Sequence, residues 1–226
     1  MHPVFQFHRH LNPLLWRNDA LKPMVRLKLF RTAVAFYQFL DVKQLVVNDI
    51  IVTGSNAAYN YTRLSDIDVH LIVDVNASAC PKLADNLFLT KKALWGQTYD
   101  VAIFGFPVEL YVENAADPVK ANGVFSVLHN DWLKHPTPVR PVVDATDVQL
   151  KCAAYAALID DLLSGTPDLK DINALLARLR LLRQNGLERN GEFSNENLTF
   201  KALRDAGLIN KLYQKRIETQ TSKLSL

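Results

Sequence analysis

Nine consecutive residues, Asp66 to Asp74, constrain this chain more than any other segment. Ile67, Val69, Leu71 and Val73 alternate with Asp66, Asp68, His70, Ile72 and Asp74. A period of two puts each set on its own side of a β-strand. One side is wholly apolar and has to lie on a core. The other is mostly polar and carries Asp66 and Asp68 together, their α-carbons about 6.6 Å apart at roughly 3.3 Å per residue. Ile67 and Val69, pointing into the core, hold the strand so that the two acids are fixed rather than mobile.

The segments around this strand predict what it pairs with and what covers it. Leu45–Val47 and Ile50–Thr53 are apolar and β-branched and end at Gly54-Ser55, the pattern of a buried strand closed by a tight turn. Pro23 to Leu40 has apolar residues at helical spacing, with Arg26, Lys28 and Arg31 between them, and Pro81 to Gly96 is a second expected helix. Tyr99–Phe104 and Val108–Val112 are expected strands joined around Gly105-Phe106-Pro107, and Gly123–Leu128 adds another.

After the proline-rich connector Pro136–Pro141 the strand signals stop. Ile172, Leu175, Leu176, Leu179 and Leu182 form a helical stripe, and Ser194 reads as an N-cap with Glu196 in the following turn. The expected fold class is α+β: a mixed sheet packed with helices over residues 1–145, then a helical domain over 146–226.

Charge is distributed unevenly. Residues 1–45 carry a net charge of +5, residues 46–146 a net −4 and residues 147–226 a net +2. An acidic middle between basic flanks suits a site that concentrates divalent cations amid surroundings that attract a polyanion; solvated surface charge without a partner is the alternative. No apolar stretch reaches the roughly 18 residues of a membrane span, and the opening Met1-His2-Pro3-Val4-Phe5 lacks the layout of a secretory signal. The expected location is the cytoplasm, with no membrane partner. Cys80 and Cys152 lack the close pairing of a zinc or redox motif and are expected to be reduced and structural.

Asp66 and Asp68 invite a metal reading, because carboxylates are the hard oxygen donors that magnesium takes. A pair of such ions can neutralise a triphosphate and place an acceptor oxygen in line with phosphorus. A third carboxylate has to come from a neighbouring strand. Glu109, in Val108-Glu109-Leu110, and Asp100, in Tyr99-Asp100-Val101, are the two candidates. Gly54-Ser55 stands where a strand ends; a glycine there permits close backbone approach, and a serine can offer its amide and hydroxyl to phosphate oxygens. Arg63, Lys91 and Lys92 are the nearby basic residues in sequence.

Taken together, Val52-Thr53-Gly54-Ser55, Ser65-Asp66-Ile67-Asp68-Val69-His70-Leu71-Ile72 and Val108-Glu109-Leu110 resemble the signature of the DNA-polymerase-beta-type nucleotidyltransferase superfamily. The strong match covers roughly residues 50–112. Residues 191–204 are also similar to the C-terminal portion of uncharacterised phage and bacterial nucleotidyltransferases. The resemblance implies a nucleotidyltransferase-like fold. It implies that Asp66 and Asp68 bind two Mg2+ ions, that Glu109 completes the metal site nearest the acceptor hydroxyl, and that Ser55 contacts the triphosphate. Mn2+ is an expected substitute. The implied partners are a nucleoside triphosphate and an acceptor that is a nucleic acid, a protein or a small molecule. Gly54, Ser55, Arg63 and Lys92 are the expected nucleotide-binding residues. The loop Asn56–Leu64, with Tyr59 and Tyr61, differs from better-studied members.

Two other readings belong beside this one: a nucleotide-binding regulator without turnover, and a nucleic-acid-binding module that uses the basic flanks. Elsewhere, His70 is either a partner to the acids or a satisfied structural histidine. Tyr59 and Tyr61 either stack on a base or pack on their loop. Lys201 and Arg204 either touch phosphates or an acceptor or, the favoured reading, are solvated helix charges, and His2, His8 and His10 are expected as part of a flexible end rather than a metal site.

Overall fold

The structure is a computed structural model, and it describes residues 7–42, 45–74, 81–117, 119–138 and 143–225. The chain divides into two compact units, Phe5–Val139 and a second that runs from Arg140 to Leu226. The class is α+β, with a mixed sheet in the first unit and, among the described residues, helices alone in the second.

In the first unit a short hairpin, β1 (Trp16–Arg17) and β2 (Ala20–Leu21), leads into helix α1 (Pro23–Leu40). Pro23 opens α1, where its missing N–H costs no hydrogen bond, and Asp41 in the left-handed region (φ 53°) closes it. Then come β3 (Val47–Thr53), β4 (Ile67–Val73), helix α2 (Pro81–Thr98), β5 (Ala102–Ile103), β6 (Phe106–Asn114), β7 (Val124–Ser126) and β8 (Asp131–Lys134).

Among the described residues, six strands form one sheet in the order β5-β6-β4-β3-β7-β8. β4 and β6 are parallel, and every other neighbouring pair is antiparallel. The parallel pair follows from α2, which lies between those strands in sequence and returns the chain for a second strand in the same direction.

Register aligns the apolar residues. Ile67, Val69 and Leu71 of β4 face Val108, Leu110 and Val112 of β6, and Val69 also pairs with Val52, which pairs with Phe125. Val25, Leu29, Ala33, Phe36 and Leu40 of α1 are buried in the same core, joined by Phe88 and Trp95 of α2. Phe36 and Phe39 each meet the Trp95 ring edge-on at 5.4 Å, which ties α1 to α2. The hairpin is anchored by Trp16, stacked on Trp132 of β8 at 4.8 Å and edge-on to Phe125 at 5.1 Å.

The second unit contains α3 (Ala145–Ser164), α4 (Leu169–Asn190), α5 (Asn195–Asp205) and α6 (Leu208–Leu224). Its core is built from Ile159, Ile172, Leu176, Leu179, Leu203, Ile209 and Leu212. Asp144, Asp168 and Ser194 cap α3, α4 and α5 by accepting backbone N–H groups. Lys151 of α3 ties Asp147 (2.6 Å) to Glu196 at the start of α5 (2.8 Å). Among the described residues, no helix is long and apolar enough to cross a membrane. Cys152 is a free thiol 3.9 Å from the Thr199 carbonyl oxygen; Cys80 and His2 lie outside the described residues.

One expectation is overturned at the N-terminal end. His8 is not part of a flexible end: its N–H donates to the Tyr59 carbonyl (2.7 Å), its ring nitrogen Nε2 lies 3.0 Å from the Tyr61 carbonyl oxygen, and its ring stacks on Tyr61 at 3.8 Å. The loop carrying Tyr59 and Tyr61 supplies these partners, so both tyrosines are engaged within the protein. Tyr59 packs against the sheet core.

A candidate metal centre of three carboxylates

Thr53, Asp68 and Glu109 lie opposite one another on three adjacent strands, since Asp68 pairs with Thr53 of β3 and with Glu109 of β6. Asp66 immediately precedes β4. Asp66, Asp68 and Glu109 each offer a carboxylate oxygen, and those oxygens lie within 4.8 Å of one another. Asp100 is exposed on the connector after α2 and is not in the group, so the parallel register of β4 and β6 brings in Glu109 as the third acid.

The turn after β3 is shaped around Asp68. Gly54 has φ 75° and ψ −165°, a region open to glycine alone, and a β-carbon there would stand 1.9 Å from Asp68 Oδ2. The carboxylate thus occupies the space that any other residue at position 54 would fill. Ser55 follows in a single 3₁₀ turn, Ser55–Ala57, and its hydroxyl donates to Ser65 Oγ at 2.8 Å. Buried Asn56 ties this turn to the start of β4: it donates to the Asp66 carbonyl (2.8 Å), accepts from Asn12 (2.8 Å), and its own carbonyl accepts from the Trp16 indole (2.7 Å).

Three acids this close repel one another. Asp68 is pushed from 3.8 up to about 6 by burial and then by the negative charge of Asp66; Glu109 adds to this, while His70 and Lys92 oppose it. Burial also pushes Glu109 up, but hydrogen bonds from Tyr111 and Asp66 and the Lys92 ammonium outweigh it and hold Glu109 below its ordinary value. The donor set, hard oxygens with surplus negative charge, therefore fits a divalent cation such as Mg2+.

Around the acids, Tyr111 donates to Glu109 Oε2 at 2.5 Å. Burial, that hydrogen bond and the nearby carboxylates push its hydroxyl far above the ordinary range, so it remains a donor. Lys92 of α2 places Nζ 3.5 Å from the same oxygen and 3.3 Å from the Tyr111 ring centroid. His70 is 9% exposed and has both nitrogens engaged, Nε2 with Thr53 Oγ1 (3.0 Å) and Nδ1 with Glu113 Oε1 (2.9 Å). It is a satisfied histidine packed behind the acids.

Of the basic residues named from sequence, Lys92 reaches the acids. Lys91 instead donates to the Phe39 carbonyl at 3.1 Å, and Arg63 is exposed on the loop before Asp66. Arg204 pairs with its neighbour Asp205 at 3.6 Å. Sequence reasoning missed Tyr111, Thr53 and Glu113. The signal for the first and last was present, since Glu109, Tyr111 and Glu113 alternate with Leu110 and Val112.

No family model matches the chain, and no curated protein matches it. Among solved structures it is similar to a STING-associated CdnE c-di-GMP synthase from Capnocytophaga granulosa, at 11% identity and a TM-score of 0.24, over 90% of this chain and 84% of that one. Superposition at that level leaves the fold to be read from this chain's own sheet and helices.

Proposed function

We propose that this chain is a magnesium-dependent nucleotidyltransferase, transferring a nucleoside monophosphate from a nucleoside triphosphate to an acceptor hydroxyl. The reading is supported above all by one observation: oxygens of Asp66, Asp68 and Glu109 within 4.8 Å of one another, beside a turn whose glycine leaves room only for the Asp68 carboxylate.

Asp66, Asp68 and Glu109 are the residues that would hold two Mg2+ ions, with Mn2+ as a substitute. When bound, such ions neutralise the triphosphate, favour the deprotonated acceptor oxygen and stabilise the leaving group. Gly54 gives the backbone close access to the phosphates, and the Ser55 amide and hydroxyl are assigned to their oxygens. Lys92 and Arg63 are assigned as counter-charges for the leaving phosphates. In the reaction the acceptor oxygen bonds to the α-phosphorus, the bond between α-phosphorus and the bridging oxygen breaks, and pyrophosphate leaves with the electron pair. The acceptor proton passes to Glu109 or to water. Catalysis by these side chains is a matter of positioning and charge, which is why the rigidity of β4 and β6 matters.

The test is incubation of the purified chain with each α-labelled triphosphate, Mg2+ and a mixed cell extract, with label transfer and pyrophosphate release followed together. A double variant, Asp66→Asn with Asp68→Asn, is the control. The expected result is transfer by the wild type that the double variant lacks, and the labelled species identifies the acceptor. Equal signals from the two proteins contradict the reading.

A further inference from the structure

We propose that Tyr111 is a positioning residue that presets Glu109 as a one-oxygen metal ligand, an inference that rests on the metal-site reading above. Its hydroxyl, more than its ring, then sets the affinity of the three acids for a divalent cation.

Tyr111 follows Glu109 by two residues on β6, so both side chains lie on the same face of the sheet. The tyrosine hydroxyl donates to Glu109 Oε2 at 2.5 Å, and Lys92 Nζ stands 3.5 Å from that same oxygen. Tyr111 and Lys92 thus converge on Oε2, and the proposal assigns the ligand role to Oε1. A carboxylate tethered at one oxygen has also surrendered much of its rotational freedom before a cation arrives, which lowers the cost of binding. Hydrogen bonds to a ligating carboxylate act in this way in metal sites generally, and their loss weakens metal affinity by about 10–100-fold.

The tyrosine is itself held. Its ring stacks on His70, its register partner on β4, with centroids 4.6 Å apart and planes 12° from parallel, and the Lys92 ammonium sits 3.3 Å from its centroid. His70 is pinned at both nitrogens by Thr53 and Glu113. The Glu113–His70–Tyr111–Glu109 series is thus a chain of fixed side chains on two neighbouring strands, β6 and β4, ending at a proposed metal ligand. This assigns a purpose to the buried histidine behind the acids: it sets the plane of the ring, and the ring sets the position of the hydroxyl.

Tyr111→Phe keeps the ring and its stacking and removes only the hydroxyl. Mn2+ binding to the full chain, followed by the electron paramagnetic resonance signal of the free ion, is expected to weaken about 10–100-fold. Folding in chelator, read by circular dichroism, remains intact. The same substitution is then made in a Glu109→Gln background. If Tyr111 acts through the Glu109 carboxylate, it has little further effect there; a merely structural role gives the same loss in both backgrounds and overturns the proposal. Unchanged Mn2+ affinity in Tyr111→Phe also overturns it, while leaving the metal site standing. If the Asp66→Asn, Asp68→Asn pair binds Mn2+ as the wild type does, the metal-site reading falls and takes this proposal with it.

Discussion

Asp68→Asn removes one negative charge from the crowded carboxylates while nearly preserving side-chain shape, and its effect on stability has a definite sign. Asp68 rises from 3.8 to about 6 in the folded chain. A carboxyl whose pKa is raised by folding binds its proton more tightly in the folded state. It stabilises the fold below about pH 4 relative to higher pH, and that stability is lost as pH rises through about 6. The displacement corresponds to roughly 3 kcal/mol of penalty on the ionised form in the absence of a cation. Urea unfolding in chelator at pH 4, 5, 6 and 7.5 measures it. The wild type is expected to lose roughly 2–3 kcal/mol between pH 4 and pH 7.5 through this group, and Asp68→Asn to lose markedly less, so that the variant is the more stable protein at pH 7.5. Divalent cation offsets the difference. At a concentration about 100 times its dissociation constant, a bound ion adds about 2.7 kcal/mol to the wild type and little to the variant. Parallel pH profiles for the two proteins in chelator would refute the claim that charge crowding at Asp68 shapes this site.

Three further substitutions test how the structure is assembled. Gly54→Ala forces a side chain into a glycine-only conformation, at a cost of order 1–3 kcal/mol, and places its β-carbon 1.9 Å from Asp68 Oδ2. It is expected to abolish divalent-cation stabilisation in thermal melts, and retention of that stabilisation contradicts the fit of glycine to carboxylate. Gly186→Ala, inside α4, gains about 1 kcal/mol from helix propensity alone. Here its β-carbon meets Ser194 Oγ at 2.5 Å and Glu196 Cβ at 2.7 Å, so chemical denaturation is expected to show net destabilisation instead, by about 1–2 kcal/mol. Ser194→Ala loses the cap on the Asn197 N–H and costs about 1 kcal/mol. In that background Gly186→Ala becomes less costly, because one of its two clashes is gone, and strict additivity contradicts the contact.

How far the sequence discloses this structure depends on what each element is held by. α1 and β4 carry their own periodicity, and their expected spans, Pro23–Leu40 and Asp66–Asp74, differ from the observed Pro23–Leu40 and Ile67–Val73 by one residue at each end of the strand. The β1–β2 hairpin and β8 escape such reading, because two- and four-residue strands are too short to show a period. They are held by tertiary contacts: Trp16 on Trp132, and the Trp132 indole donating to the Asp19 carbonyl at 2.7 Å. His8 is misread for the same reason, since its partners Tyr59 and Tyr61 lie some 50 residues on. At the candidate site, Asp66 and Asp68 are legible from strand alternation. Glu109 is not separable from Asp100 by spacing, because the answer lies in the parallel register of β4 with β6. Lys91 and Lys92 are adjacent in sequence yet point to different partners, Phe39 and Glu109, which only the rotation of α2 decides.

Anomalous diffraction from crystals grown with Mn2+ and a non-hydrolysable nucleoside triphosphate bears most directly on the claim that three acids share a pair of cations. Two manganese peaks about 3.5–4 Å apart, both touching the Asp66 and Asp68 carboxylates and one also touching Glu109, are the predicted result. Manganese bound elsewhere, or the three carboxylates turned apart with no ion among them, would contradict it.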